Sequence, residues 1–377
     1  MNSRKAIYAA GLVAASTSMV WAATTLTTSS TTSASSSVVT IPATAAASTA
    51  VPVAAESTAG TAMTQATVAA KALPGVNISG GEFGGTGGKL GTNYIYPSKS
   101  EISYYAAQGF KVLRIPFRWE RLQPTPYAAL SATDRNALKT AVTQANALGL
   151  TVVLDMHNYG QRQTSTGTFD VGSANVTAEA LTDAWVKIME DYRGNPQLWV
   201  GLMNEPNRQS PDNWWRIANQ VVQDLRNQKI DNKILVPGTA WTGAHSWISS
   251  GNAARAAAFV DPSNNYAFEV HQYLDGGSAG IAAPCQTGSA ARVEAALQWA
   301  EARGVQLFFG EMGGSSDPQC AIEYPAMLRR LNSSPAVLAW TAWGGGAWWN
   351  VSYMFRLQST TTQPTAHMAM LNANMPQ

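Results

Sequence analysis

The chain has 377 residues, 45% hydrophobic and 13% charged, with a formal net charge of +2. That composition supports a large core, and the length accommodates one large domain or two smaller ones. The near-neutral balance, with no basic run or stripe, excludes a nucleic-acid surface and gives no electrostatic case for a charged polymer substrate.

Arg4 and Lys5 precede an Ala-rich apolar stretch from Ala6 to Val20, and Val20-Trp21-Ala22 offers small residues where a signal peptidase reads. Residues 1–22 read as a secretory leader, so the mature chain is expected outside the cytoplasm. The stretch is too short and too interrupted by Ser and Thr to cross a bilayer, and no later segment offers about 18 uninterrupted apolar residues. A soluble monomer without a membrane span is expected. Residues 23–72 are dominated by Ser, Thr, Ala and Val, with Glu56 and Lys71 the only charges. They show no helical or strand period, which predicts a flexible linker, either a spacer, a glycosylated stalk or plain disorder.

From Leu73 the pattern becomes strand, then helix, repeated. Runs that read as buried strands are Gly75 to Ser79, Val112 to Phe117, Thr151 to Met156, Leu198 to Met203, Ile234 to Pro237, Tyr266 to Val270, Gln306 to Phe309 and Val337 to Ala342. Helix-like segments lie between them: Lys99 to Gln108, one opened by Ser131, one opened by Thr177, Asp212 to Leu225, and Ala290 to Ala302. Ser131 and Thr177 are N-cap residues ahead of apolar faces at 3.6 spacing. Apolar strands alternating with amphipathic helices imply a parallel sheet covered by helices. About eight such units predict a single α/β catalytic domain over 73–377, a closed (β/α)8 barrel of the TIM type. An open doubly wound sheet is the alternative, disfavoured because the glycines from Gly80 to Gly88 do not make a nucleotide turn: Leu90 follows Gly88-Lys89 where Ser or Thr is required.

The polar residues fall where such a barrel does chemistry. Arg114, His157, Asn204, Glu205, His271, Tyr273 and Glu311 stand at or just past the C-terminal ends of the predicted strands. Glu205 and Glu311 would close the fourth and seventh strands. A carboxylate beside so much apolar surface is costly without partners or work. Two of them form the pair that glycoside chemistry requires: a separation of about 5–5.5 Å lets one attack the sugar, and about 6.5–9.5 Å admits a water instead. With four His and neither His-Glu-x-x-His nor Cys-x-x-Cys, no metal site and no cofactor are expected. Cys285 and Cys320, an even pair in an exported chain, read as a disulfide.

Arg114-Ile115-Pro116, His157-Asn158-Tyr159, Asn204-Glu205-Pro206, His271-Gln272-Tyr273-Leu274-Asp275, Gly310-Glu311-Met312-Gly313-Gly314 and Trp343-Gly344-Gly345-Gly346 together resemble glycoside hydrolase family 5, most closely its endo-β-1,4-glucanases. Gly75 to Gly80 with Glu82-Phe83-Gly84 is similar to one branch of them, in which a disulfide falls where Cys285 and Cys320 stand. The resemblance covers roughly residues 73–360. It implies retaining hydrolysis of cellulose, with Glu205 as acid/base and Glu311 as nucleophile. It also implies that Arg114, His157, Asn158, Asn204, His271, Tyr273, Trp343 and Trp241 contact or frame a β-glucan. Among these, Asn204 resembles the residue that bonds the sugar 2-hydroxyl, and Trp343 the platform beneath the sugar. Trp119, Trp241, Trp348 and Trp349 read equally as sugar-stacking or packing residues, and Trp214 and Trp215 as packing. A glycanase for mannan, xylan or mixed-linkage glucan, or a non-catalytic glycan-binding barrel, are the other readings.

Overall fold

The computed structural model describes residues 71–358 and 364–376. The predicted leader, and the predicted linker up to residue 70, lie outside the described residues.

Among the described residues there are ten strands: β1 (Leu73–Ile78), β2 (Val112–Phe117), β3 (Thr151–Met156), β4 (Gln161–Thr164), β5 (Gly167–Asp170), β6 (Leu198–Gly201), β7 (Ile234–Pro237), β8 (Tyr266–Tyr273), β9 (Leu307–Gly313) and β10 (Val337–Gly345). Eight of them close a barrel in the order β1-β10-β9-β8-β7-β6-β3-β2, and every pairing in it is parallel. All eight predicted strands are present, so the (β/α)8 reading holds. Helices such as Ala132–Asn146, Ala178–Met189 and Pro211–Asn227 surround the barrel. Ser131 and Thr177 cap as expected, each accepting a bond from the backbone N–H three residues on.

The differences from the sequence reading have local causes. β8, β9 and β10 run three or more residues past the predicted ends, because their polar tips still pair along the rim. β6 stops at Gly201, ahead of the predicted Met203. The segment read as one helix from Ala290 is a 3-10 turn, Ser289–Val293, followed by the α-helix Glu294–Arg303. Helix Cys320–Ser333 escaped the pattern because Pro325 lies inside it. β4 and β5 form an antiparallel hairpin too polar to read as strands.

Two apolar shells hold the fold. A large one lies between barrel and helices. A small one fills the barrel floor, with Val112, Val153, Trp199, Leu235, Ala267, Phe308 and Ala339 contributed by successive strands. Among the described residues no helix is long and apolar enough to cross a membrane.

Cys285 and Cys320 form a disulfide across a separation of 35 residues. It ties the segment after β8 to the first turn of the helix after β9, beside Gly314. Closing a loop of that length stabilises a fold by about 2–4 kcal/mol, mainly by restricting the unfolded chain. The Cys285→Ser/Cys320→Ser double variant is expected to lose that much in denaturant unfolding. An unfolding midpoint equal to wild type would show that the bridge contributes nothing.

Candidate active site

The barrel interior turns polar two residues above its apolar floor. Val112, Val153 and Ala267 belong to the floor. Arg114, Asp155 and Glu269 follow on the same faces of β2, β3 and β8, since side chains in a strand alternate with period two. Asn77 of β1 stands beside Arg114 in register. Arg114 is fully buried. Its Nη1 donates to Asn77 Oδ1 and to Glu311 Oε1, both at 3.0 Å, and its Nη2 donates to Asn204 Oδ1 at 2.7 Å. Nη2 also lies 3.1 Å from Asp155 and 3.1 Å from Glu269.

Glu311 projects from β9 and is buried. Besides the Arg114 bond it accepts one from the Tyr273 hydroxyl at 2.7 Å. Glu205 lies just past β6, with φ 41°. That left-handed backbone is unusual for a residue with a side chain, and such strain clusters at working sites. His271 Nδ1 lies 2.7 Å from Glu205 Oε1 and 3.8 Å from Glu311 Oε2, while its Nε2 lies 3.2 Å from Glu269 Oε1. One ligand atom each of Glu205, His271 and Glu311 lie within 4.8 Å of one another.

Protons are distributed unequally here. Burial pushes the Glu205 carboxyl up, the Glu311 charge pushes it further, and the His271 bond only partly opposes them. Burial disfavours a charged His271, yet Glu311, Glu205 and Glu269 together push it up to about 10. The surrounding carboxylates favour a protonated His271, in which both ring nitrogens donate. His157 is the opposite case: burial pulls it well below the ordinary value. Neutral His157 faces Asp155 through Nδ1 at 2.7 Å and Tyr159 Oη through Nε2 at 3.1 Å. With Asp155 as acceptor, Nδ1 carries the proton and Nε2 accepts.

The other predicted residues separate into two groups. Trp343 stacks near His157, with ring centres 5.8 Å apart and planes 18° apart, and its Nε1 donates to Tyr353 Oη at 2.9 Å. The Trp343–Gly344 peptide is cis. Trp241 is 56% exposed, edge-on to Tyr159. Trp349 stacks on Tyr353 at 3.9 Å. Asn158, by contrast, uses its amide elsewhere: Oδ1 accepts from Trp119 N, and Nδ2 donates to the Glu120 carboxylate. Arg114 likewise works from beneath the cleft, enclosed by the groups it holds. Trp119, Trp214 and Trp215 are buried packing residues.

Sequence reasoning passed over Asp155, Glu269, Asn77, Glu82 and Tyr353. A signal existed for the first two. Asp155 precedes His157 by two positions at the end of β3, and Glu269 precedes His271 by two positions within β8, which puts acid and imidazole on one face. Glu82, next to the mouth, is pushed up to about 7 by burial, although the Gly80 N–H bonds it.

A closed (β/α)8 barrel whose mouth brings together two carboxyl groups, one with raised proton affinity and one ion-paired to an arginine, framed by imidazoles and tryptophans, defines a glycoside hydrolase. A family model described as Cellulase (glycosyl hydrolase family 5) matches residues 66–347, and the chain belongs to that family. Endoglucanase 1 of Robillarda sp. is 28% identical over 300 residues, covering 73% of this chain and 78% of the relative. Among solved structures, the endo-beta-1,4-glucanase Xac0029 from Xanthomonas axonopodis pv. citri is 32% identical with a TM-score of 0.76, covering 80% of this chain and 98% of that one. The Pseudomonas stutzeri endoglucanase Cel5A, solved in complex with cellobiose, is 30% identical with a TM-score of 0.72, covering 80% and 92%.

Proposed function

We propose that the chain is an exported, monomeric, retaining endo-β-1,4-glucanase that cuts internal bonds of cellulose. The observation that carries this reading is the spacing of the pair: an oxygen of Glu205 and one of Glu311 within 4.8 Å. That is near the separation of about 5–5.5 Å at which one carboxylate attacks the sugar directly. The names of the relatives, and the cellobiose held by one solved neighbour, support cellulose as the substrate class.

Glu205 delivers its proton to the glycosidic oxygen as Glu311 attacks the anomeric carbon and the carbon–oxygen bond breaks. The raised proton affinity of Glu205 suits it to that step. Once Glu311 is an ester its charge is gone, so one of the influences raising Glu205 disappears. Glu205 then takes a proton from a water whose oxygen attacks the anomeric carbon and frees Glu311. Tyr273 and Arg114 hold Glu311 ready for attack. Asn204, fixed by Arg114, is placed to meet the sugar 2-hydroxyl. Trp343 supplies a flat face beneath the reacting sugar, and Trp241 an exposed one further along the cleft.

The test is product analysis on carboxymethyl-cellulose with proton NMR of the newly formed ends. The β-anomer is expected first, with viscosity falling faster than reducing ends accumulate. An initial α-anomer would replace retention with inversion. Faster turnover of mannan, xylan or mixed-linkage glucan in parallel assays would move the substrate assignment.

A further inference from the structure

Glu269 is a buried acid that neither donates the reaction's proton nor attacks the sugar, yet it touches the partners of both groups that do. It sits on β8, two residues before His271, and is fully enclosed. Its Oε1 lies 3.1 Å from Arg114 Nη2 and 3.2 Å from His271 Nε2, while Oε2 takes no hydrogen bond among the described residues. Here a single oxygen joins two cations. Arg114 bonds Glu311 through its other terminal nitrogen, and His271 faces Glu205 through its other ring nitrogen.

The backbone makes room for this arrangement. A Cβ on Gly310, the residue before Glu311, would lie 2.1 Å from Glu269 Oε1. Any side chain at 310 must therefore displace the carboxylate.

We infer that Glu269 is a positioning residue that couples the two catalytic carboxylates, its Oε1 anchoring both the arginine that holds Glu311 and the histidine that holds Glu205. Without that anchor, Arg114 and His271 lose a shared fixed point, and His271 loses one of the charges that keep it protonated. The titratable and charged groups facing this pair are Arg114, Asp155, Glu205, Glu311 and His157. The inference rests on the roles proposed above for Glu205 and Glu311.

The experiment is a side-chain NMR titration of His271 in the whole enzyme, with kinetics on a soluble cellulose derivative. Only four histidines are present, so the ring signals are few. Wild-type His271 is expected to keep its proton beyond neutral pH. In Glu269→Gln its titration is expected to fall by roughly two units, as befits loss of an adjacent charge. The same variant should lose about tenfold to a hundredfold in kcat with KM little changed, the size of effect seen when a group that orients a reactive residue is removed. Glu269→Asp, which keeps the charge, should recover part of both, and Gly310→Ala should reproduce the loss. An unmoved His271 titration, or a wild-type kcat, in folded Glu269→Gln overturns the inference. The titration needs no substrate. If Glu205 and Glu311 proved dispensable, the proposed function would fall while the titration result would stand.

Discussion

Glu311→Gln leaves a folded protein whose hydrolysis of carboxymethyl-cellulose is lower by several orders of magnitude, because the amide cannot form the glycosyl ester. Folding should survive, since the amide oxygen can take the Arg114 bond while the amide NH2 donates to the Tyr273 hydroxyl oxygen, which can accept as well as donate. Glu205→Gln should lose about 10²–10⁴-fold, the usual worth of a positioned proton donor. The two are distinguished by a cellobioside with a very good leaving group, which needs no acid to depart. Glu205→Ala should release that leaving group in a burst and then stall, and azide should relieve the stall by giving a β-glycosyl azide. Glu311→Ala should show no burst. Swapped behaviour would reverse the two assignments, and near wild-type activity on carboxymethyl-cellulose in either Gln variant would remove the pair from the chemistry.

The second large effect is on stability. Arg114 ion-pairs with Asp155, Glu269 and Glu311 at 3.0–3.1 Å in a fully buried setting. Arg114→Gln strands those carboxylates. Breaking a buried pair by removing one partner costs about 3–5 kcal/mol. In a domain of this size that lowers the melting temperature by on the order of 10 °C. The deficit should depend on pH. Burial pushes Glu269 up, but Arg114 and His271 outweigh it and hold the carboxyl below its ordinary value. A lowered acid stabilises the fold above the unfolded value of about 4.3, and that contribution is lost as pH falls through the folded value. Asp155, pushed up to about 7 by burial despite Arg114, loses its share of the pairing first as pH falls, so the variant should lie furthest below wild type above neutral pH and approach it in acid. Melting curves at pH 7 and pH 4 with the same deficit would place the arginine's contribution outside these ion pairs.

Much of this is legible in the sequence. The barrel strands are nearly continuous apolar runs, and their alternation with capped helices left few architectures. Glu205 and Glu311 stood out because each is a carboxylate closing such a run. The charged layer beneath them was harder to read. Asp155 and Glu269 sit inside strands that look wholly apolar at window length, and only the two-residue offset from a histidine marks them. Asn158 misled for the reverse reason: it neighbours His157 in sequence, but the chain turns there, and its amide reaches back to Trp119 and Glu120. Spacing along the chain cannot reveal that an arginine on β2 faces acids on β3, β8 and β9 at once, because barrel closure creates that meeting.

The barrel rim is built unevenly. β6 and β7 have four residues each, whereas β8, β9 and β10 have eight, seven and nine. Glu311 is therefore rooted in the tall, hydrogen-bonded wall, while Glu205 stands in irregular chain above a short strand. Changes to loop length or side chains on the low side would reach Glu205 before they reached Glu311. The cleft therefore has one wall set by strand hydrogen bonding and one set by loop packing.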